Sequence, residues 1–182
     1  MTEFGYWIRR RWKVLSIIAV VLLALSSVAY AYLKLTSSST SPLPTSVFQS
    51  YPLELRMELD KTEFQLGELI TVRVFLKNIS NQTITLYFGM KLFDLNITDA
   101  NGTLIYGWSY GKGFPARLIP ITLDPYRELA ETFVWDQLDN NGNTVEPRAY
   151  NVIGFTGRFG FDLEWEDGSY ILMVPSITIT IT

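Results

Sequence analysis

The chain has 182 residues with a formal net charge of -3; it holds no cysteine and no histidine, and is 14% aromatic but only 18% charged. That length suits one domain with accessories, and the aromatic-rich, charge-poor balance belongs to a packed chain, not a disordered one. The charge excludes the basic footprint of a nucleic-acid binder, while the missing residues exclude disulfides, thiolate chemistry, the usual general base and the commonest metal ligand.

Residues 1–13 form a basic segment holding Arg9, Arg10, Arg11 and Lys13, and residues 14–33, from Val14 to Leu33, carry no charge. A helix of that length rises about 30 Å, the thickness of a bilayer's hydrocarbon core, so 14–33 reads as a transmembrane helix. Tyr6, Trp7 and Trp12 border it on the basic side, and Tyr30 and Tyr32 on the other, as interfacial aromatics do. The positive flank stays in the cytoplasm, which places everything after Lys34 outside, on a single-pass protein of the cell membrane. A second reading is a cleavable signal peptide ending after Ala31, because Ala29-Tyr30-Ala31 is an A-x-A-like site. The length of the apolar run favours the anchor, and both readings export the domain.

Residues 34–50 read as a Ser/Thr/Pro-rich stalk, dominated by Thr36 to Ser46. Such a stretch cannot form a core and serves as a spacer, either plain or carrying O-linked sugar.

The remaining residues, 51–182, carry the periodicity of strands. Leu53 to Leu59 alternates apolar and polar residues, giving one buried face and one wet face. Lys61 to Glu68 turns the chain, and Ile70, Val72, Val74 and Leu76 resume the period. Asn78 to Gln82 is a polar break before Ile84, Leu86 and Phe88; Leu92 to Thr98 is a further strand, closed by an Asn101-Gly102 hairpin turn. Leu104, Tyr106 and Trp108 lead into a glycine-flanked loop, and Gly111 to Pro120 reads as a long excursion. Glu128 to Trp135 returns as a strand, Asp139 to Gly142 turns, and Tyr150, Val152 and Gly154 follow. The tail ends in an alternating Ile-Thr run, Ile177 to Thr182: either a last strand with its isoleucines in the core, or a free strand able to pair with another molecule's sheet edge. With about eight or nine short strands and almost no helical period, the expected fold is all-β, a single antiparallel immunoglobulin-like β-sandwich.

Four Asn-x-Ser/Thr sequons mark Asn78, Asn81, Asn96 and Asn101 as candidate N-glycosylation sites on an exported domain, or as turn-forming asparagines never modified. Asn96 stands apart, within a strand on the parity shared with Asp94. Asp136, Asp139, Asn140, Asn141 and Asn143 form an oxygen-rich turn that reads as an Asx hairpin turn and not a calcium loop, since no closing Glu or flanking helix is present. Glu164, Glu166 and Asp167 cluster carboxylates of the kind that hydrolyse glycosides, but a domain this small offers little room for a sugar cleft. No enzymatic activity, metal or cofactor is expected. The loop from Tyr110 to Leu118 has two readings. Tyr110, Phe114 and Arg117 suit the anchors of a recognition loop, whereas Trp108 and Phe114 also suit a plain plug for the end of the sandwich.

Several motifs stand in a telling order: Lys61-Thr62-Glu63-Phe64-Gln65-Leu66-Gly67-Glu68, the Asn78 to Thr83 hairpin, the Trp108 to Phe114 loop, Trp135-Asp136, Asn141-Gly142-Asn143 and Pro147-Arg148-Ala149-Tyr150. In this the chain resembles the BsuPI family, named for an intracellular proteinase inhibitor of bacilli, over roughly residues 53 to 156. The resemblance implies inhibition of subtilisin-type serine proteases and carries over no inhibitory residue. Arg148 replaces a usual glycine after Pro147, and the exported location departs from the family's intracellular name-giver. Two functions follow as expectations: a membrane-anchored extracytoplasmic binding module of proteinase-inhibitor type, or a structural cell-surface subunit joined to other surface proteins through its sheet edges.

Overall fold

The perfect alternation of Leu53–Leu59 and Ile70–Asn78 becomes two neighbouring strands whose odd and even residues respectively are buried, as a half-wet sheet demands. A computed structural model describes residues 42–89, 91–115, 117–161 and 169–182, and Pro42–Thr182 form a compact unit of their own. The basic segment, the proposed transmembrane helix and the acidic cluster Glu164, Glu166 and Asp167 lie outside the described residues.

Among the described residues the chain forms twelve strands. The first six are β1 (Thr45–Ser50), β2 (Leu53–Leu59), β3 (Glu63–Phe64), β4 (Ile70–Asn78), β5 (Ile84–Gly89) and β6 (Phe93–Thr98). The others are β7 (Leu104–Gly107), β8 (Leu118–Leu123), β9 (Glu128–Trp135), β10 (Ala149–Thr156), β11 (Phe159–Gly160) and β12 (Ile177–Ile181). They build three sheets, ordered β1-β2-β4-β9, β3-β12-β10-β6-β7 and β11-β5-β8. The all-β expectation holds, with more strands than the eight or nine expected. All pairings are antiparallel except β3 with β12, which run parallel at Glu63↔Thr180 and Phe64↔Ile181.

The four strands beyond the sequence reading have physical reasons for being hidden. β1 occupies the end of the stretch read as stalk, so the spacer reading is corrected over Thr45–Ser50. It is an edge strand held to β2 by backbone pairing, with only Ser46 buried, and backbone pairing leaves no apolar alternation to read. β8 lies in the stretch read as an excursion because Pro120 argues against a strand. It is tolerated there because, among the described residues, β8 pairs only with β5 and leaves its other edge open. β3 and β11 are two residues each, too short to show a period.

The tail is a core strand. Ile179 and Ile181 are buried, and β12 pairs with β10 along Ile177–Thr180 and with β3 at Thr180 and Ile181. The reading of the tail as a free strand for exchange is therefore corrected: its backbone groups are already engaged on both sides.

Two sheets face each other across Gly154 of β10. A methyl group built there would stand 2.9 Å from Val74 Cγ2 and 3.2 Å from Met57 Sδ, so only glycine admits this close approach. Lower in the same core, Trp135 packs edge-on against Tyr150 at 5.8 Å and lies 6.1 Å from Tyr106. The Tyr150 hydroxyl donates to Glu146 O at 2.8 Å, the reach-back of a tyrosine corner. Arg148 is not among the positive-φ residues, so the position does not require the glycine usual there. Its guanidinium lies 5.2 Å from the Tyr150 ring centroid and its Nε donates to the Tyr150 hydroxyl at 3.1 Å.

Overpacking a dense core costs about 1–3 kcal/mol. Gly154→Ala is expected to lower stability by that amount, read as a lower urea midpoint with an unchanged slope. An unaltered midpoint would show that the sheets are not in contact there.

Candidate functional site: the loop after Trp108

Strand β7 ends at Gly107, whose N–H donates to Asn140 Oδ1 at 2.9 Å, and Trp108 continues the pairing with its N–H on Leu95 O at 2.8 Å. The indole then meets the core. Phe133 packs edge-on to it at 5.3 Å, and Phe114 from the loop lies on it at 6.0 Å. Lys112 Nζ sits 3.7 Å from the Trp108 ring centroid, a cation–π distance. Between them the chain turns tightly, with Tyr110 N–H on Gly107 O at 2.9 Å and Lys112 N–H on Ser109 O at 3.1 Å.

A buried polar lock holds the loop's first foot. Asp94 is 2% exposed. Its carboxylate accepts from Ser109 Oγ at 2.6 Å, from Ser109 N at 3.2 Å and from Leu95 N at 2.8 Å, and it is ion-paired with Lys91. Lys91 Nζ also donates to Ser109 Oγ at 2.6 Å. In the sequence Asp94 shows only the strand parity it shares with Asn96, which does not reveal this lock. The alternation of β6 does put it on the outer side, but Lys91 and the returning Ser109 cover that side, and no local pattern announces them. The second foot is strand β8, where Leu118 pairs with Gly89, preceded by an Arg117 N–H to Pro115 O bond of 2.9 Å.

The three candidate recognition residues are thus treated differently. Tyr110 is 60% exposed and Arg117 is exposed, whereas Phe114 is half-buried on Trp108. Phe114 packs on Trp108, while Tyr110 and Arg117 stand in solvent.

A second polar clamp, also missed, stands at the other end of the domain. Gln137 is fully buried in the left-handed region at φ 61. Its Nε2 donates to Gln65 O and Glu68 O at 2.8 Å each, and its Oε1 accepts from Gly67 N at 2.8 Å. Gly67 has φ 81, which favours glycine. The Gly67-Glu68 motif and the strand ending at Trp135 are therefore one constellation in space, and the spacing in sequence hides it.

The sequon asparagines also separate. Asn78 is fully buried; its Nδ2 donates to Gln82 O at 2.7 Å, Leu123 O at 3.0 Å and Asp124 O at 3.1 Å, and its Oδ1 accepts from Ser80 N and Oγ. A glycan on that nitrogen is incompatible with the folded domain, so the candidate site at Asn78 is corrected to a structural asparagine. Asn81 and Asn101 are exposed beside turns, and Asn96 is half-exposed within β6.

Among the described residues no cluster of His, Cys, Asp and Glu is placed to hold a metal ion. The Asp139 turn is an Asx turn, its Oδ1 accepting from Asn141 N and Asn143 N at 2.8 Å each. These bonds hold the Asp139 carboxyl below its ordinary range, the Asn143 N–H contributing most. The Thr103 N–H does the same for Asp99, and the Lys61 ammonium at 2.6 Å does so for Glu68.

Fold and loop together define a β-sandwich that presents a short exposed segment on an aromatic anchor. The BsuPI family model, described as intracellular proteinase inhibitor, matches residues 57–156, more than half of the sequence. The chain belongs to the BsuPI family. No curated protein matches it. Among solved structures it is similar to a β-glucosidase from Listeria innocua at 19% identity and TM-score 0.39, over 73% of this chain and 16% of that one. It thus spans about a sixth of the length of that enzyme. It is also similar to the C-terminal domain of wzt, at 10% identity and TM-score 0.44 over 78% of this chain and 80% of that one. A third likeness is to the CARDB domain of the PF1109 protein from Pyrococcus furiosus, at 13% identity and TM-score 0.36 over 73% and 97%.

Two outcomes are expected from this geometry. Asp94→Ala strands Lys91 and Ser109 without their acceptor, which costs about 1–3 kcal/mol; amide exchange across 109–115 should speed up more than exchange in β4. Equal acceleration everywhere would show that the lock acts on global stability alone. The depressed carboxyls of Glu68, Asp99 and Asp139 give stability that is fully present above ordinary carboxylate values, about pH 4, and is lost as pH falls through their lowered ones. Urea midpoints should drop on acidification in that window, and Asp139→Asn should flatten the slope. A flat profile in the parent protein would refute the assignment.

Proposed function

We propose that this chain is a membrane-anchored, extracytoplasmic inhibitor of a subtilisin-type serine protease, acting through the loop between Trp108 and β8. The observation that carries this reading is the contrast within that loop. Its base is held at both feet by the Asp94 lock, the Trp108 stack and the Leu118↔Gly89 pairing, while Tyr110 and Arg117 stand in solvent. An inhibitor needs that combination, because a segment ordered before binding loses little conformational entropy on entering a cleft. Membership of the proteinase-inhibitor family supports the choice of partner class. The charge-free run from Val14 to Leu33 behind a basic segment supports the anchor and the outward orientation.

The alternative, a structural surface subunit joined through its sheet edges, loses most of its tail, since β12 pairs with β10 along Ile177–Thr180 and with β3 at Thr180 and Ile181, and would have to use another edge such as that of β8.

The full-length chain in detergent micelles, titrated against a panel of subtilisin-type proteases, is expected to inhibit at least one stoichiometrically. Phe114→Ala should weaken that inhibition about tenfold or more, as loss of a packed anchor does. Externally added protease or antibody should reach the domain on intact cells. Inhibition of no protease would leave the family relationship as a statement about fold, and a domain shielded on intact cells would refute the orientation.

A further inference from the structure

Resting on the reading of the loop as the inhibitory segment, we infer that Arg117 is the side chain that enters the protease's primary pocket. The partner is then a serine protease with a carboxylate in that pocket, one that cleaves after basic residues.

The inference comes from elimination by backbone geometry. A protease cleft receives its peptide extended, edge to edge with its own strands. Tyr110 sits inside a tight turn, its N–H on Gly107 O and its follower Gly111 at φ 69. Lys112 folds back over the Trp108 ring, and Phe114 lies against the same indole. Each is committed to the loop's own packing. Arg117 also has its N–H turned onto Pro115 O, but it leads directly into β8, so the backbone on its C-terminal side is already extended.

The register of β8 makes that stretch accessible. Gly89 N–H donates to Arg158 O on the β11 side of β5, so alternation directs Phe88, Leu86 and Ile84 towards Ile119, Ile121 and Leu123 of β8. Leu118, Pro120 and Thr122 then fall on the open edge. Leu118, next to Arg117, offers an N–H and a C=O there, while Pro120 has no N–H. The open edge can therefore accept a partner strand at Leu118, beside Arg117, and Pro120 stops the pairing from extending into an indiscriminate added strand.

Electrostatics agrees. Arg56, Lys61, Arg73 and Lys91 are ion-paired, and Arg148 rests on Tyr150, whereas among the described residues Arg117, like Arg127 and Arg158, is exposed and has no ion pair. Among the described residues no carboxylate lies within ion-pair distance of the exposed Arg117. A guanidinium held in solvent has its five donors available for a planar bidentate contact with a carboxylate.

The test uses the full-length chain in micelles with two subtilisin-type proteases, one cleaving after arginine and one after large apolar residues. The arginine-specific enzyme should be the better inhibited. Arg117→Ala should weaken that inhibition about thirtyfold, the size expected of a central anchor. Arg117→Lys should retain most of it, and Arg117→Phe should shift preference to the apolar-specific enzyme. An unchanged near-UV spectrum of Trp108 and its neighbours would establish that the variants fold. Tight inhibition that survives Arg117→Ala but is lost in Phe114→Ala would overturn the assignment of Arg117 and leave the loop reading standing. Inhibition of neither enzyme, nor of any in the wider panel, would overturn the loop reading and this inference with it.

Discussion

Trp108 joins two regions that would otherwise be independent. One edge of its indole belongs to the core through Phe133, and its faces carry Phe114 and Lys112 of the loop. A core side chain in a dense interior has few alternative positions, so whatever packs on Trp108 inherits that restriction. The loop is consequently ordered by a hydrophobic contact with the sandwich as well as by its own tight turns and the Asp94 lock.

Around that stack the domain relies on buried polar side chains that are fully satisfied. Asp94 gathers Lys91, Ser109 and Leu95; Gln137 gathers Gln65, Gly67 and Glu68; Asn78 gathers three carbonyls and the Ser80 hydroxyl. Each stands where an irregular segment returns to the sheets and has backbone groups that no strand can pair. A buried polar group without a partner is costly, whereas a satisfied one specifies a single arrangement. The three residues do for the loops what the alternation does for the strands.

The same logic bears on recognition. The domain's long strands and tight turns carry its stability, and the presented residues contribute almost nothing to it. Tyr110 and Arg117 are exposed, so on the proposed reading they can vary with the target while Trp108, Asp94 and Ser109 stay as the mount.

The order of most strands was legible in the sequence because burial of one sheet face imposes a period of two, and Leu53–Leu59, Ile70–Leu76 and Ile177–Ile181 display it. The break after Trp108 was legible as well, since aromatic and glycine-rich punctuation marks a segment that leaves the strands. What stayed hidden depends on partners distant in the chain. β1 exists through backbone pairing that no side-chain pattern encodes, Pro120 masks the alternation of Ile119, Ile121 and Leu123 in β8, and Asn78 looked like a glycosylation site until Leu123 and Asp124 closed over its amide. Asp94 shared the parity of the half-exposed Asn96, yet Ser109 and Lys91 cover it. Periodicity reports which side of a strand is dry; only the tertiary structure decides what lies on the other side, because that neighbour arrives from another part of the chain.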